Sequence, residues 1–173
     1  MQTRLLIQLP SLALAVLFTM LVGSVGADDR RDDRTLEGTW DVTLQFPEGT
    51  CDRCGCPGNT PDIPLPTLNT FLQGGGMLWS GSALTVGPGQ GSWERLGRNH
   101  YMARFKFFIF ALTLDSNSGS IIARRTGSEE LTKDIRLTDS DTFEATTTFD
   151  LFDAAGTMTA QGCIINETAT RFE

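Results

Sequence analysis

Histidine and positive charge are both scarce in this chain of 173 residues. The single histidine, His100, lies beside a turn and cannot supply the several ligands of a zinc site or be assigned as a catalytic base. Lysine and arginine total 14 against 21 acidic residues, which gives a formal net charge of −7. So acidic a surface repels phosphate backbones. We therefore predict no metal site, no cofactor, no catalytic residue and no nucleic-acid partner.

Long apolar runs are missing as well, except at the N-terminus. Residues 1–27 combine Arg4 near the start, an apolar core and compact residues at 25–27, which is the pattern of a cleaved signal peptide. Pro10 interrupts the apolar run and leaves fewer than the roughly 20 residues that cross a bilayer. We therefore predict a secreted or periplasmic protein, typical of a bacterium, with no stable membrane anchor.

The sequence after the signal peptide divides into two parts. Residues 28–35 carry mixed charges and no apolar side chain, which predicts a disordered charged arm. Residues 36–173 have the length of one domain. The sequence does not indicate an oligomeric state.

The domain has no amphipathic pattern of helical period over about ten residues. Its apolar residues alternate instead, most clearly where Trp40, Val42 and Leu44 share one face. Turn residues separate the alternating segments, as at 117–119. We predict strands at 39–46, 67–73, 77–80, 91–95, 101–114, 121–126, 131–137, 142–152 and 157–165. This pattern favours an all-β fold, an antiparallel up-and-down β-barrel of about eight strands, with a β-sandwich as the alternative.

Four cysteines follow the signal peptide: Cys51, Cys54, Cys56 and Cys163. In an exported protein, disulfide bonds are a stronger expectation for these cysteines than metal ligation. Four cysteines allow three pairings, between which the sequence does not choose. We expect at least one bridge from the 51–56 loop to Cys163.

Several large side chains occupy positions that would face the interior of a barrel. We predict that they line a ligand cavity, together with one lysine: Phe71, Trp79, Tyr101, Phe105, Phe107, Lys133, Phe143 and Phe149. About eight strands leave an interior just wide enough for side chains or one small ligand, so a filled core is the alternative. Lys133 is either a buried counter-charge, for an acidic ligand or for Glu144, or a side chain that extends to solvent at the barrel mouth.

The Gly38-Thr39-Trp40 start, the antiparallel meander and the late Arg171 resemble the calycin superfamily, which includes the lipocalins. The domain also resembles secreted bacterial proteins of no agreed activity that begin with a Gly-x-Trp strand. The resemblance implies a barrel floor in which Trp40 closes the base, Arg171 packs across its indole and Gly38 lets the backbone pass close beneath.

The function that these features favour is a secreted lipocalin-like barrel that binds a small hydrophobic or amphipathic ligand. Two alternatives remain open at this point. One is a cavity-based isomerase or cyclase of the allene oxide cyclase type, which moulds an apolar substrate with few polar residues. The other is a structural envelope protein with a filled core.

Overall fold

The structure is a computed structural model, and it describes residues 34–50, 54 and 65–172. The predicted signal peptide and most of the predicted charged arm lie outside these residues. Within the described part, eight strands follow one another: β1 Gly38–Gln45, β2 Leu65–Phe71, β3 Gly76–Gly81, β4 Gly89–Arg95, β5 His100–Leu114, β6 Ile121–Leu137, β7 Thr142–Asp153 and β8 Met158–Arg171.

Each strand pairs antiparallel with the next, and β8 returns to pair with β1. The sheet is therefore a closed up-and-down barrel, as the sequence predicts, and the alternative of a β-sandwich is wrong. Closure satisfies the backbone groups that a sandwich would leave unpaired at its sheet edges. No helix in the described ranges has the length and apolar character needed to cross a membrane.

In each strand apolar and polar residues alternate, and this alternation places one face of the strand in the barrel interior. In β1, Trp40, Val42 and Leu44 are buried while Asp41 and Gln45 are exposed. β7 repeats the pattern, with every second side chain from Phe143 onward turned inward. A period of two is what a half-buried strand requires, and it sets which residues form the core.

The two strands predicted at 121–126 and 131–137 are in fact one, β6. The polar segment between them, which resembles a turn, pairs with β5 on one side and β7 on the other. A Cβ atom at Gly127 would lie 2.3 Å from the Phe152 carbonyl oxygen. This glycine therefore permits a close approach of two backbones and does not reverse the chain.

The β5–β6 hairpin continues past the barrel. Beyond a register shift between Ile109 and Phe110, the two strands pair with each other up to Leu114 and Ile121. Leu114 and Ile121 at its end are 66% and 71% exposed. The hairpin thus prolongs one wall of the barrel beyond the end at which Ile109 lies.

Candidate functional site

One end of the barrel is closed by Trp40. Its side chain is fully buried, and its indole Nε1 donates a hydrogen bond of 2.8 Å to the Leu36 carbonyl. The guanidinium carbon of Arg171 lies 4.3 Å from the centroid of the indole ring. Register explains this contact, because Trp40 of β1 pairs directly with Arg171 at the end of β8. The geometry is that of a cation–π pair.

Arg171 also fixes the chain that enters the barrel. Its guanidinium donates to the carbonyls of Glu37 at 2.7 Å and Thr35 at 2.9 Å, and it lies 3.2 Å from the Asp141 carboxylate. Gly38 has φ +121°, and a Cβ atom there would be 2.7 Å from an Arg171 nitrogen. The structure thus brings together the three residues predicted for the floor, and the positive φ favours glycine at position 38.

Three of the predicted ligand-binding aromatics belong to this closed end. The Phe143 ring lies 5.0 Å from that of Trp40, and Phe71 meets Phe143 edge-on at 6.3 Å. Tyr101 packs against Trp93 with ring centroids 5.8 Å apart. These rings fill the base of the barrel and are not part of the cavity wall.

The other end of the barrel holds a cavity of about 250 Å³. Four of the predicted residues line it, and the Trp79 and Phe107 rings stack with centroids 4.5 Å apart. The predicted members of the wall are Trp79, Phe105, Phe107 and Phe149, and the further apolar members include Leu44, Phe46, Leu65, Val86, Ile109, Leu131, Leu151 and Ile165. An apolar concave site with a few polar groups is the usual form of a small-molecule site.

Burial along the strands locates the mouth of this cavity. In β5, Phe105 and Phe107 are buried whereas Ile109 is half-buried. In β7, Phe149 is buried and Leu151, two residues further on, is half-buried. The cavity therefore opens at the end of the barrel from which the β5–β6 hairpin extends.

A buried ion pair lies beside the cavity. Lys133 is 0% exposed and Glu167 is 3% exposed, and the Lys133 ammonium donates to Glu167 Oε2. Thr147 donates to the other carboxylate oxygen. Burial lowers the pKa of Lys133, while the charge and the hydrogen bond of Glu167 oppose that shift. Glu167 reaches the cavity wall and Lys133 stands behind it, 5.4 Å from the Phe105 ring centroid.

Of the two sequence interpretations of Lys133, the structure agrees with a buried counter-charge but changes its protein partner. Its partner is Glu167 and not Glu144, and the side chain does not extend to solvent. A signal for the partner was present in the sequence. Glu167 continues the inward series of Cys163 and Ile165. It is therefore, like Lys133, a charged residue at a position where the alternation predicts an apolar one.

A second carboxyl on the cavity wall, Glu129, has no hydrogen bond or ion pair within the described ranges. It is half-buried on the inner face of β6, between Phe107 of β5 and Leu151 of β7. Burial raises the pKa of Glu129 to about 8. Sequence reasoning missed it because it sits in the polar segment that resembles a turn.

Two further polar side chains on β2 are buried without partners. Thr67 Oγ1 and both amide atoms of Asn69 make no hydrogen bond among the described residues. Thr67 belongs to the cavity wall. Its hydroxyl is free to meet a polar atom of a bound molecule.

Cys54 and Cys163 form a disulfide that joins the segment before β2 to β8, with a Cα–Cα distance of 6.1 Å. This is the bridge from the 51–56 loop that the sequence predicts. Cys51 and Cys56 lie outside the described residues. Cys54 is itself part of the cavity wall. Across the described ranges, no cluster of three His, Cys, Asp or Glu side chains is placed to hold a metal ion.

Replacing both Cys54 and Cys163 with serine is expected to lower the free energy of unfolding by about 2 to 4 kcal/mol. The bridge spans a sequence separation of 109 residues, so its loss frees a long loop in the unfolded chain. Urea unfolding of the oxidised wild type and of the variant would measure the difference. A variant with an unchanged midpoint would contradict the stabilising role.

No family model matches this sequence, and neither a curated protein nor a solved structure matches it. The class of protein is therefore defined by the fold and the cavity alone. Over the described residues it is an eight-stranded antiparallel barrel, closed at one end by Trp40 and Arg171, with an apolar cavity toward the other end.

Proposed function

We propose that this chain is a calycin-like barrel, secreted from a bacterial cell, that binds one small hydrophobic or amphipathic molecule in its lumen. The observation that carries the proposal is the apolar cavity of about 250 Å³ beside the stacked Trp79 and Phe107 rings. An apolar cavity of roughly 150 Å³ is large enough to take up benzene. A ring system with a short side chain is therefore of suitable size.

Secretion is supported by two features. The disulfide between Cys54 and Cys163 belongs to an oxidising compartment, because reducing systems keep cytosolic thiols free. Residues 1–27 have the pattern of a signal peptide. Mass spectrometry of the exported protein would test cleavage after residue 27.

Uptake of a neutral fluorescent probe tests the cavity directly. Naphthylethanol is expected to bind saturably, with a dissociation constant on the order of 10 μM. Replacing Ile165 with tryptophan puts a large ring into the cavity, and we expect it to weaken probe binding at least tenfold. Fluorescence titration of both proteins would measure the change.

Ile164 supplies the matched control. It neighbours Ile165 on β8 but lies on the outer face and is 37% exposed. Ile164→Trp adds the same side chain outside the barrel and should leave probe affinity unchanged. Equal affinities for wild type and Ile165→Trp would show that the probe binds elsewhere, and the cavity would lose its proposed role.

The same titration, combined with a turnover assay, separates the two alternatives left open by the sequence. A structural protein with a filled core would take up no probe. A cavity-based isomerase or cyclase would bind apolar molecules too, but it would convert a reactive polyene or epoxide into more product than there is protein. Binding without turnover is the outcome that the proposed function expects.

A further inference from the structure

Glu129 is a carboxyl group on the cavity wall that a purely apolar ligand does not explain. Its neighbours across the pairing on both sides, Phe107 and Leu151, are apolar. Ile109 and Leu131 add further apolar wall. A carboxyl group in such surroundings loses hydration and, within the described ranges, gains no protein hydrogen bond in return.

Among the described residues, the charged groups near Glu129 do not compensate its charge. From β8, the cavity wall includes the Glu167 carboxylate, which has the same sign. From β6 itself, Lys133 is engaged with Glu167. From β5, Lys106 pairs at 2.8 Å with Glu130, which is next to Glu129 in sequence but points to the outer face. β7 contributes only Phe149 and Leu151 to the wall.

We propose that the cavity selects a small hydrophobic amine, with an apolar body and one ammonium group, and that the Glu129 carboxylate is its counter-charge. This rests on the proposed function, because it requires a ligand in the cavity. The apolar body would lie against Trp79 and Phe107, and the ammonium would meet Glu129 where the cavity opens. A ligand carboxylate would instead meet Glu129, which carries the same sign once it is ionised, beside a Glu167 charge that Lys133 already balances.

Binding of the amine should be linked to the release of a proton from Glu129. Burial raises the pKa of Glu129 to about 8, so most of the free protein carries a neutral carboxyl group at pH 7. An ammonium beside it stabilises the carboxylate, and the proton leaves to the buffer while the amine keeps its own. Amine affinity should therefore rise by up to about tenfold per pH unit from pH 6 toward pH 8 and level off above it.

Three probes with the same naphthalene body separate charge from apolar fit: naphthylethylamine, naphthylethanol and naphthylacetate. At pH 8 we expect the amine to bind about tenfold more tightly than the alcohol, and the acetate to bind most weakly. Calorimetry in buffers of different ionisation enthalpy at pH 7 should report proton release with the amine and none with the alcohol.

Glu129→Gln, which keeps the shape of the side chain and removes its charge, is the variant that tests the role of the carboxylate. It should reduce amine affinity at pH 8 about tenfold and abolish the pH dependence, while alcohol affinity stays the same and shows that the cavity is intact. Glu130→Gln is the matched control, because it removes an equal charge from the outer face of the same strand. It should leave all three affinities unchanged.

Each outcome has a distinct meaning. Equal affinities for amine and alcohol, or an amine that binds Glu129→Gln as tightly as wild type, would overturn the selection of amines and leave the proposed function standing. Failure of all three probes to bind saturably would overturn the proposed function itself.

Discussion

Replacing Lys133 with methionine is expected to lower the free energy of unfolding by about 3 to 5 kcal/mol at pH 7. Lys133 and Glu167 are both buried, so the variant leaves a carboxylate inside the barrel that, among the described side chains, only the Thr147 hydroxyl still supports. Methionine preserves an unbranched apolar chain beside Phe105. The loss of stability therefore measures the effect of the missing charge and not that of missing side-chain volume. Urea unfolding monitored by circular dichroism would measure it.

Two further variants control the Lys133 measurement. Lys133→Met combined with Glu167→Leu removes both charges and should recover most of the lost stability, because paired burial itself contributes little net free energy. Lys106→Met breaks a pair with Glu130 whose side chains are 44% and 52% exposed, and it should cost less than about 1 kcal/mol. A Lys133→Met variant as mild as Lys106→Met would contradict the assignment of a buried pair.

The period-two segments of the sequence indicate the strands and the faces they bury, and the pairing of β8 with β1 decides for a closed barrel over a β-sandwich. In β1 the inward series from Trp40 to Leu44 specifies both the strand and the face it buries. Closure brings Arg171 to Trp40 because β1 and β8 pair in that register. Local patterns were sufficient here, since alternation depends only on the residues of one strand and turns separate one strand from the next.

The cavity and its charges depend on relations that no single strand contains. Phe71, Phe105 and Phe143 all alternate inward, yet Phe105 lines the cavity and the other two fill the base. Tilt and stagger of the strands decide the height of each residue, and these follow from pairing across the whole barrel. Likewise, Lys133 of β6 and Glu167 of β8 are 34 residues apart in sequence. They come together because β7 pairs with both of their strands.

Glu129 shows why polar residues that face the barrel interior are the hardest to predict from the sequence. The segment from Gly127 to Glu130 lacks the apolar alternation that marks a strand, so it resembles a turn. In the barrel it is the middle of β6 and places a carboxyl at the mouth of the cavity. Groups that break the pattern of a core are the ones expected at a functional site.

Truncating Trp40 to alanine is expected to lower the free energy of unfolding by about 3 to 5 kcal/mol. The side chain is fully buried, contacts Phe143 and donates a hydrogen bond to the Leu36 carbonyl. Its removal opens a void at the base that the closed sheet cannot collapse to fill, because the strands are held by pairing on both sides. Chemical denaturation at pH 7 would measure the loss.

Comparison with two other variants at the closed end separates the contribution of the Trp40 ring to stability from the contributions of its neighbours. Arg171→Ala should cost about 1 to 2 kcal/mol, since it removes one cation–π contact and partly exposed hydrogen bonds. Trp93→Ala removes the same side chain from a half-buried position, where its indole donates to the Leu72 carbonyl, and it should cost less than Trp40→Ala. If Trp40→Ala unfolded at the wild-type midpoint, Trp40 would not close the barrel, and its role as the floor would have to be abandoned.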